Sequence, residues 1–198
     1  ENRVTLISDA GLNASVIDVD AFALNNALQH NYPESMEGTV ALVNIGHEVT
    51  NVNILEDGVQ ILTRDVPFGS RRVREDLQRE RGLTAEEAEE VVQGRSDVTD
   101  LDQLVMSAAD EVGVGIERAA AFLMTRQSGE GLGRIYISGG GARIPGMEQA
   151  LADRMSVETV LLNPFERVPV APGAADSLDL EAAAPMLLLP LGLGLRRA

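Results

Sequence analysis

The stretch from Thr39 to Val66 constrains the fold more tightly than any other part of the chain. Thr39 to Ile45 is an almost unbroken apolar run, the composition of a strand covered on both faces. Val49 to Leu55 alternates instead, with Val52 and Ile54 on one side and Asn51 and Asn53 on the other. Asp57-Gly58 is then the dipeptide of a two-residue hairpin leading into Val59 to Val66. An antiparallel meander is therefore expected.

Glycine follows the first of these strands and one further strand. Leu42-Val43-Asn44-Ile45-Gly46-His47-Glu48-Val49-Thr50 ends the first apolar run, and Ile137-Ser138-Gly139-Gly140-Gly141-Ala142 ends another that spans Arg134 to Ser138. A strand that stops at glycine leaves backbone N–H groups approachable by a phosphate or a flat ring, with no Cβ in the way. Two such turns, one followed by the Thr50 hydroxyl, are expected to face each other across a nucleotide. For either turn alone, the plain alternative is a tight connection without a ligand.

The remaining elements follow from caps and periodicity. Val4 to Ser8 reads as the end of an amphipathic helix, Ser15 to Val19 as a strand, and Asp20 as the cap of a helix to about Gln29 with Phe22, Ala23, Leu24 and Ala27 inward. Asn31 to Gly38 is a polar linker. Pro67-Phe68-Gly69 closes the meander, and Ser70 opens an Arg- and Glu-rich helix that stops near Gly82. Thr84 to Glu87 fits a capping box for a short acidic helix ending at Gly94.

Leu101, Leu104, Val105, Ala108, Val112, Ile116, Ala119 and Leu123 recur at three- and four-residue steps, predicting a core helix from about Thr99 to Thr125. Gly113 and Gly115 in its middle mark close packing or a kink. Gln127 to Gly133 is a Gly-rich loop, Pro145 to Met155 a helix and Val157 to Leu161 the last strand, ended by Asn163-Pro164. Val168 to Leu180 is a loop rich in Pro, Ala and Asp. The order β-β-β-α-(α)-α-β-α-β describes an α/β fold, a mixed sheet covered by helices with a small helical insertion.

Composition removes several functions. The formal charge of −15, from 16 basic against 31 acidic residues, argues against nucleic acid and anionic membrane surfaces, both of which recruit Lys and Arg. Without Cys, and with two His, there is no disulfide framework or thiolate metal site, and a reducing cytoplasmic setting fits. Ala182 to Leu195, 14 residues broken by Pro185 and Pro190, falls short of the roughly 20 that span a bilayer and reads as a buried helix closing the domain. The chain starts at Glu1 without an initiator Met and is read as a fragment.

The order of elements and both turns resemble the second lobe of the actin, sugar-kinase and heat-shock-chaperone ATPase superfamily, the RNase H-like fold of actin-like ATPases. Within it the chain looks like the PilM family of type IV pilus assembly proteins. The likeness is carried by Ala10-Gly11-Leu12, Ile17 to Leu24, Asn44-Ile45-Gly46 with Thr50, and Val66-Pro67-Phe68-Gly69. It continues through Gly82-Leu83-Thr84, Glu86 to Glu89, Ser138 to Gly146 and Asn163-Pro164-Phe165. The resemblance implies that residues 1–30 end a first lobe and connect it, that 31–82 with 96–198 form the second lobe, and that 83–95 are its small helical insertion.

It further implies ATP or ADP with Mg²⁺ in the intact two-lobed protein. Asn44, Gly46, His47 and Thr50 would lie around the β- and γ-phosphates, Gly139, Gly140, Gly141 and Arg143 near the α-phosphate and the ribose or adenine, and Glu86 or Glu89 near the sugar or base. The implied partner is the N-terminal cytoplasmic tail of a PilN-like inner-membrane protein, with other platform and motor proteins and a homo-oligomeric ring also in view, and a peripheral position at the inner membrane.

The chain departs from the family pattern at Asn44, where such proteins usually carry Asp, and at Val91-Val92-Gln93, where a basic residue is missing. An amide supplies no charge to hydrated Mg²⁺. Binding without efficient hydrolysis is the expectation. Cell-division proteins like FtsA, secretion proteins like GspL, and acetate- or sugar-kinase-like phosphotransferases remain the competing readings. For Asn44 the alternative is a strand-end residue bonding its own turn, for His47 a solvent-exposed side chain, and for Arg71, Arg72 and Arg74 a solvated helix face rather than a docking patch.

Overall fold

The computed structural model describes residues 2–96, 100–121, 131–176 and 178–196. Its centre is a five-stranded sheet in the order β3-β2-β1-β4-β5: β1 Thr39–Ile45, β2 Thr50–Glu56, β3 Val59–Val66, β4 Arg134–Ser138 and β5 Thr159–Leu161. The first three strands are antiparallel, whereas β4 runs parallel to both β1 and β5. Asp57 and Gly58 adopt φ values of 50° and 74°, the paired left-handed conformation that the hairpin dipeptide predicts.

The apolar run of β1 divides between two cores, as a period of two requires. Ala41, Val43 and Ile45 join Val52, Ile54, Ile135 and Ile137 beneath helices α3 (Ser70–Arg81), α4 (Ala85–Val92), α5 (Asp102–Ala120) and α6 (Met147–Met155). Val40 and Leu42 face the other way, with Leu55 and Tyr136, against Leu24, Ala27 and Leu28 of α2 (Asp20–Asn31) and Leu188 of α8 (Leu188–Gly194). The capping box of α4 forms in full: Thr84 Oγ1 accepts from Glu87 N–H, and the Glu87 carboxylate accepts from Thr84 N–H at 2.8 Å.

Gly113 and Gly115 are packing points. A Cβ on Gly115 would lie 2.5 Å from Val66 Cγ2, and one on Gly113 3.2 Å from the Arg154 stem, so α5 presses directly on β3 and α6. The predicted ends of this helix, at Thr99 and Thr125, together with Leu123 and most of the Gln127–Gly133 loop, lie outside the described residues. The Asn163-Pro164-Phe165 block is a clasp. Tyr32 Oη accepts from Asn163 N–H at 2.9 Å, and Asn163 Oδ1 turns back to Phe165 N–H at 3.0 Å.

Several expectations are corrected. Ser15–Val19 forms no strand: no described strand lies beside it to supply hydrogen bonds, and Val16, Ile17 and Val19 are exposed. It follows α1 (Asn2–Asp9), whose Val4, Leu6 and Ile7 are likewise exposed. Asp20 is the first helical residue of α2 rather than its cap, and Phe22 points outward, while Leu28 takes the inward place. The closing C-terminal helix is broken into α7 (Leu180–Ala183), a 3₁₀ turn at Ala184–Leu187 and α8, because Pro185 cannot continue a helical hydrogen-bond ladder. The helix expected from Pro145 starts at Met147, and the strand expected from Val157 starts at Thr159.

Candidate functional site

Parallel pairing of β1 with β4 brings the two glycine turns together. Asn44 and Ser138 are in register, and Ser138 Oγ donates to Asn44 Oδ1 at 3.2 Å. The turns therefore stand side by side at the carboxyl ends of adjacent strands, where open α/β sheets place their ligand crevices, rather than facing one another.

The glycines do different things. Gly139 has φ 87° and ψ 171°, and a Cβ there would sit 2.5 Å from Ile45 O and 2.8 Å from Asn44 Oδ1. A Cβ on Gly141 would fall 2.2 Å from Ile45 Cγ2. Both are demanded by the close approach of the two strand ends, whatever binds there. Gly140 is open: its nearest neighbour would be Met186 Sδ at 3.8 Å.

The first turn is fastened to α3. Gly46 O and His47 O accept from the N–H groups of Ser70 and Arg71, each at 2.9 Å, which supplies two of the acceptors a helix start needs. Gly46 N–H closes the turn onto Val49 O at 3.0 Å. Thr50 is fully buried and its Oγ1 donates to Phe68 O at 2.8 Å, so the hydroxyl holds the Pro67-Phe68-Gly69 segment. We expect Thr50→Val to leave that carbonyl unpaired and to cost about 1–3 kcal/mol in chemical denaturation.

One groove of about 350 Å³ gathers His47, Glu89, Gly140 and Arg143, four sequence-predicted residues, with Ser70, Val92, Gln93 and Met186, which sequence reasoning missed. The volume is at the lower end of ligand sites, about 300–1,000 Å³. Glu86 is exposed in the first turn of α4 and is not among the groove's lining. Glu89 accepts from Gln93 Nε2 at 2.5 Å and from Arg74 Nη1 at 3.2 Å. The Gln93 hydrogen bond, followed by that of Arg74, holds its carboxyl below the usual range against the opposing effect of burial, so it is ionised at neutral pH.

Arg143 donates to Gln93 O at 3.3 Å, across the groove at the end of α4. No carboxylate among the described residues pairs with it. The Arg71 and Arg72 guanidiniums are by contrast engaged, with Glu48 and Glu75 at 3.5 and 3.3 Å and with Asp76 at 3.3 Å, which makes that run an ion-paired helix face.

The family model described as "Type IV pilus assembly protein PilM" matches residues 1–198. The chain belongs to the PilM family. Among solved structures, a chain of the "PilM-PilN type IV pilus biogenesis complex" is 26% identical with a TM-score of 0.78, the match covering 96% of this chain and 55% of that one. The ethanolamine utilization protein EutJ of Carboxydothermus hydrogenoformans is 21% identical, with a TM-score of 0.68 and coverage of 96% and 58%. MreB5 of Spiroplasma citri, bound to AMPPNP, shares the fold at 12% identity and a TM-score of 0.63, covering 98% and 62%. The chain thus has the fold of an actin-like ATPase lobe and spans 55–62% of the length of these three structures. No helix among its described residues is long and apolar enough to cross a membrane.

Proposed function

We propose that this chain forms one half of an actin-like, nucleotide-binding scaffold for type IV pilus assembly, held at the cytoplasmic face of the inner membrane by gripping the tail of a PilN-like protein. The groove that joins His47, Glu89, Gly140 and Arg143 carries the nucleotide part of this reading, because an Arg without a carboxylate partner lines it in a chain of net charge −15. Such a cation suits the phosphates of ATP or ADP, and the ionised Glu89 suits sugar hydroxyls as an acceptor. His47 lines the groove and no described acceptor takes its N–H group, which suits it to a phosphate oxygen. Asn44, Gly46, Thr50, Gly139 and Gly141 are not among the groove's lining and instead fix the turns that carry His47 and Gly140.

The Asn44 amide oxygen accepts the Ser138 hydroxyl, and no group of three or more His, Cys, Asp or Glu side chains among the described residues is placed to hold a metal. With an amide in place of a carboxylate at position 44, Mg²⁺ would be held chiefly by the phosphates and by water. Weak hydrolysis follows.

The division into lobes is part of the same proposal. Residues 1–30 would end and connect the other lobe, 31–82 and 96–198 form this one, and 83–95 are its insertion. The exposed Leu6, Leu12, Ile17 and Val19 give that other half an apolar surface to cover. Likeness to a chain of the PilM–PilN complex supports the partner. Other platform and motor proteins and a ring of copies extend the proposal.

Titration calorimetry tests the nucleotide reading. A longer PilM protein containing this chain is expected to bind Mg-ATP, and residues 1–198 alone to bind it weakly or not at all, since half of the cleft is missing. Tight binding by the isolated chain would refute the two-lobe cleft, and no binding by the longer protein would refute the nucleotide.

A further inference from the structure

We infer that the C-terminal turn Ala184–Leu187 is a third wall of the groove, and that Met186 is the side chain against which the flat ring of a bound nucleotide rests. This rests on the nucleotide reading above and adds the contact that would recognise the base. The turn is docked on the glycine turn itself: Gly139 N–H donates to Pro185 O at 2.8 Å, and Pro185 is buried. Met186 next to it is 46% exposed and reaches Gly140, with Sδ 3.8 Å from where a Cβ there would be. Met186 therefore packs beside Gly140 rather than over a gap, and its half-exposed thioether forms an apolar face of the groove that both residues line. A thioether is polarizable, adapts its rotamers and contacts aromatic rings favourably. The buried Val92 adds apolar surface to the same groove, while Gln93 and Glu89 add polar atoms.

Met186 is held in place from its C-terminal side. Leu188 is fully buried, and α8 crosses α2 so closely that a Cβ on Gly192 would lie 1.8 Å from Ala23 O. Arg196 then grips Asp18 through both carboxylate oxygens, at 2.6 and 3.0 Å. The turn is thus pinned at both ends, and the Met186 thioether is presented to the groove by a fixed backbone.

The test uses the longer PilM protein and Mg-ATP in titration calorimetry. Met186→Ala is expected to weaken binding about 5- to 10-fold, the scale of one lost sulfur–aromatic contact with its apolar cover. Met186→Leu is expected to restore most of the affinity, and both variants should keep the parent melting temperature because the side chain is half exposed. Unchanged affinity in Met186→Ala, or failure of Leu to restore it, overturns the ring assignment while leaving the nucleotide reading standing. Absence of ATP binding by the unaltered protein overturns both.

Discussion

Gly139→Ala is expected to lower the melting temperature by about 10 °C or more, the response of a domain this size to about 3–5 kcal/mol. The backbone there, at φ 87° and ψ 171°, belongs to a region open essentially to glycine, which alone costs about 1–3 kcal/mol for another residue. The added Cβ would also meet the backbone oxygen of Ile45 at 2.5 Å, and Ile45 and Gly139 directly follow Asn44 and Ser138, the last pair of the parallel β1–β4 ladder. Gly140→Val, one residue on, is expected to stay within about 0.5 kcal/mol of the parent, since its Cβ meets nothing nearer than Met186 Sδ at 3.8 Å. It should instead fill the groove and reduce nucleotide affinity at least about 10-fold. Thermal denaturation and calorimetry on the two variants separate the glycine that the fold requires from the one that the ligand requires. A Gly139→Ala protein as stable as its parent would refute the assignment.

Arg143→Gln is expected to weaken Mg-ATP binding by about 10- to 100-fold in the longer protein, as loss of hydrogen bonds from a charged donor implies about 1.5–3 kcal/mol. Folding should be nearly unaffected, because the bond Arg143 makes among the described residues is a single 3.3 Å contact to Gln93 O. Ionic strength gives a second readout. Raising salt should weaken ATP binding by the parent more than by the variant, since screening acts on the charge that the substitution removes. Equal affinities and equal salt slopes would show that Arg143 serves only to fasten the glycine turn to α4.

Local chemistry was legible in the sequence wherever one segment decides its own conformation. The β1 run, the Asp57-Gly58 hairpin, the Thr84–Glu87 box and the apolar face of α5 all appear where spacing and caps put them. Elements whose state depends on a distant neighbour were not legible in the same way. Ser15–Val19 has strand composition but no described strand to pair with, and the leucine-rich C-terminal run has helical composition but is divided at Pro185.

The same distinction runs through the site. Arg143, Gly140, Glu89 and His47 stand in recognisable turns and on a recognisable helix, and one groove collects them. Thr50 looked like a free hydroxyl because its partner, Phe68 O, is 18 residues away in sequence and adjacent only once the meander has formed. Met186 was hidden within a run that reads as plain core. What brings it to Gly140 is the hydrogen bond from Gly139 to Pro185, a contact that no periodicity announces.

The grip of Arg196 on Asp18 has a topological consequence. It ties the segment before α2 to the segment after α8, 178 residues apart along the chain, through one bidentate ion pair. Substituting Asp18 or Arg196 would therefore loosen the start of α2 and the end of α8 together, although neither residue lies in a core.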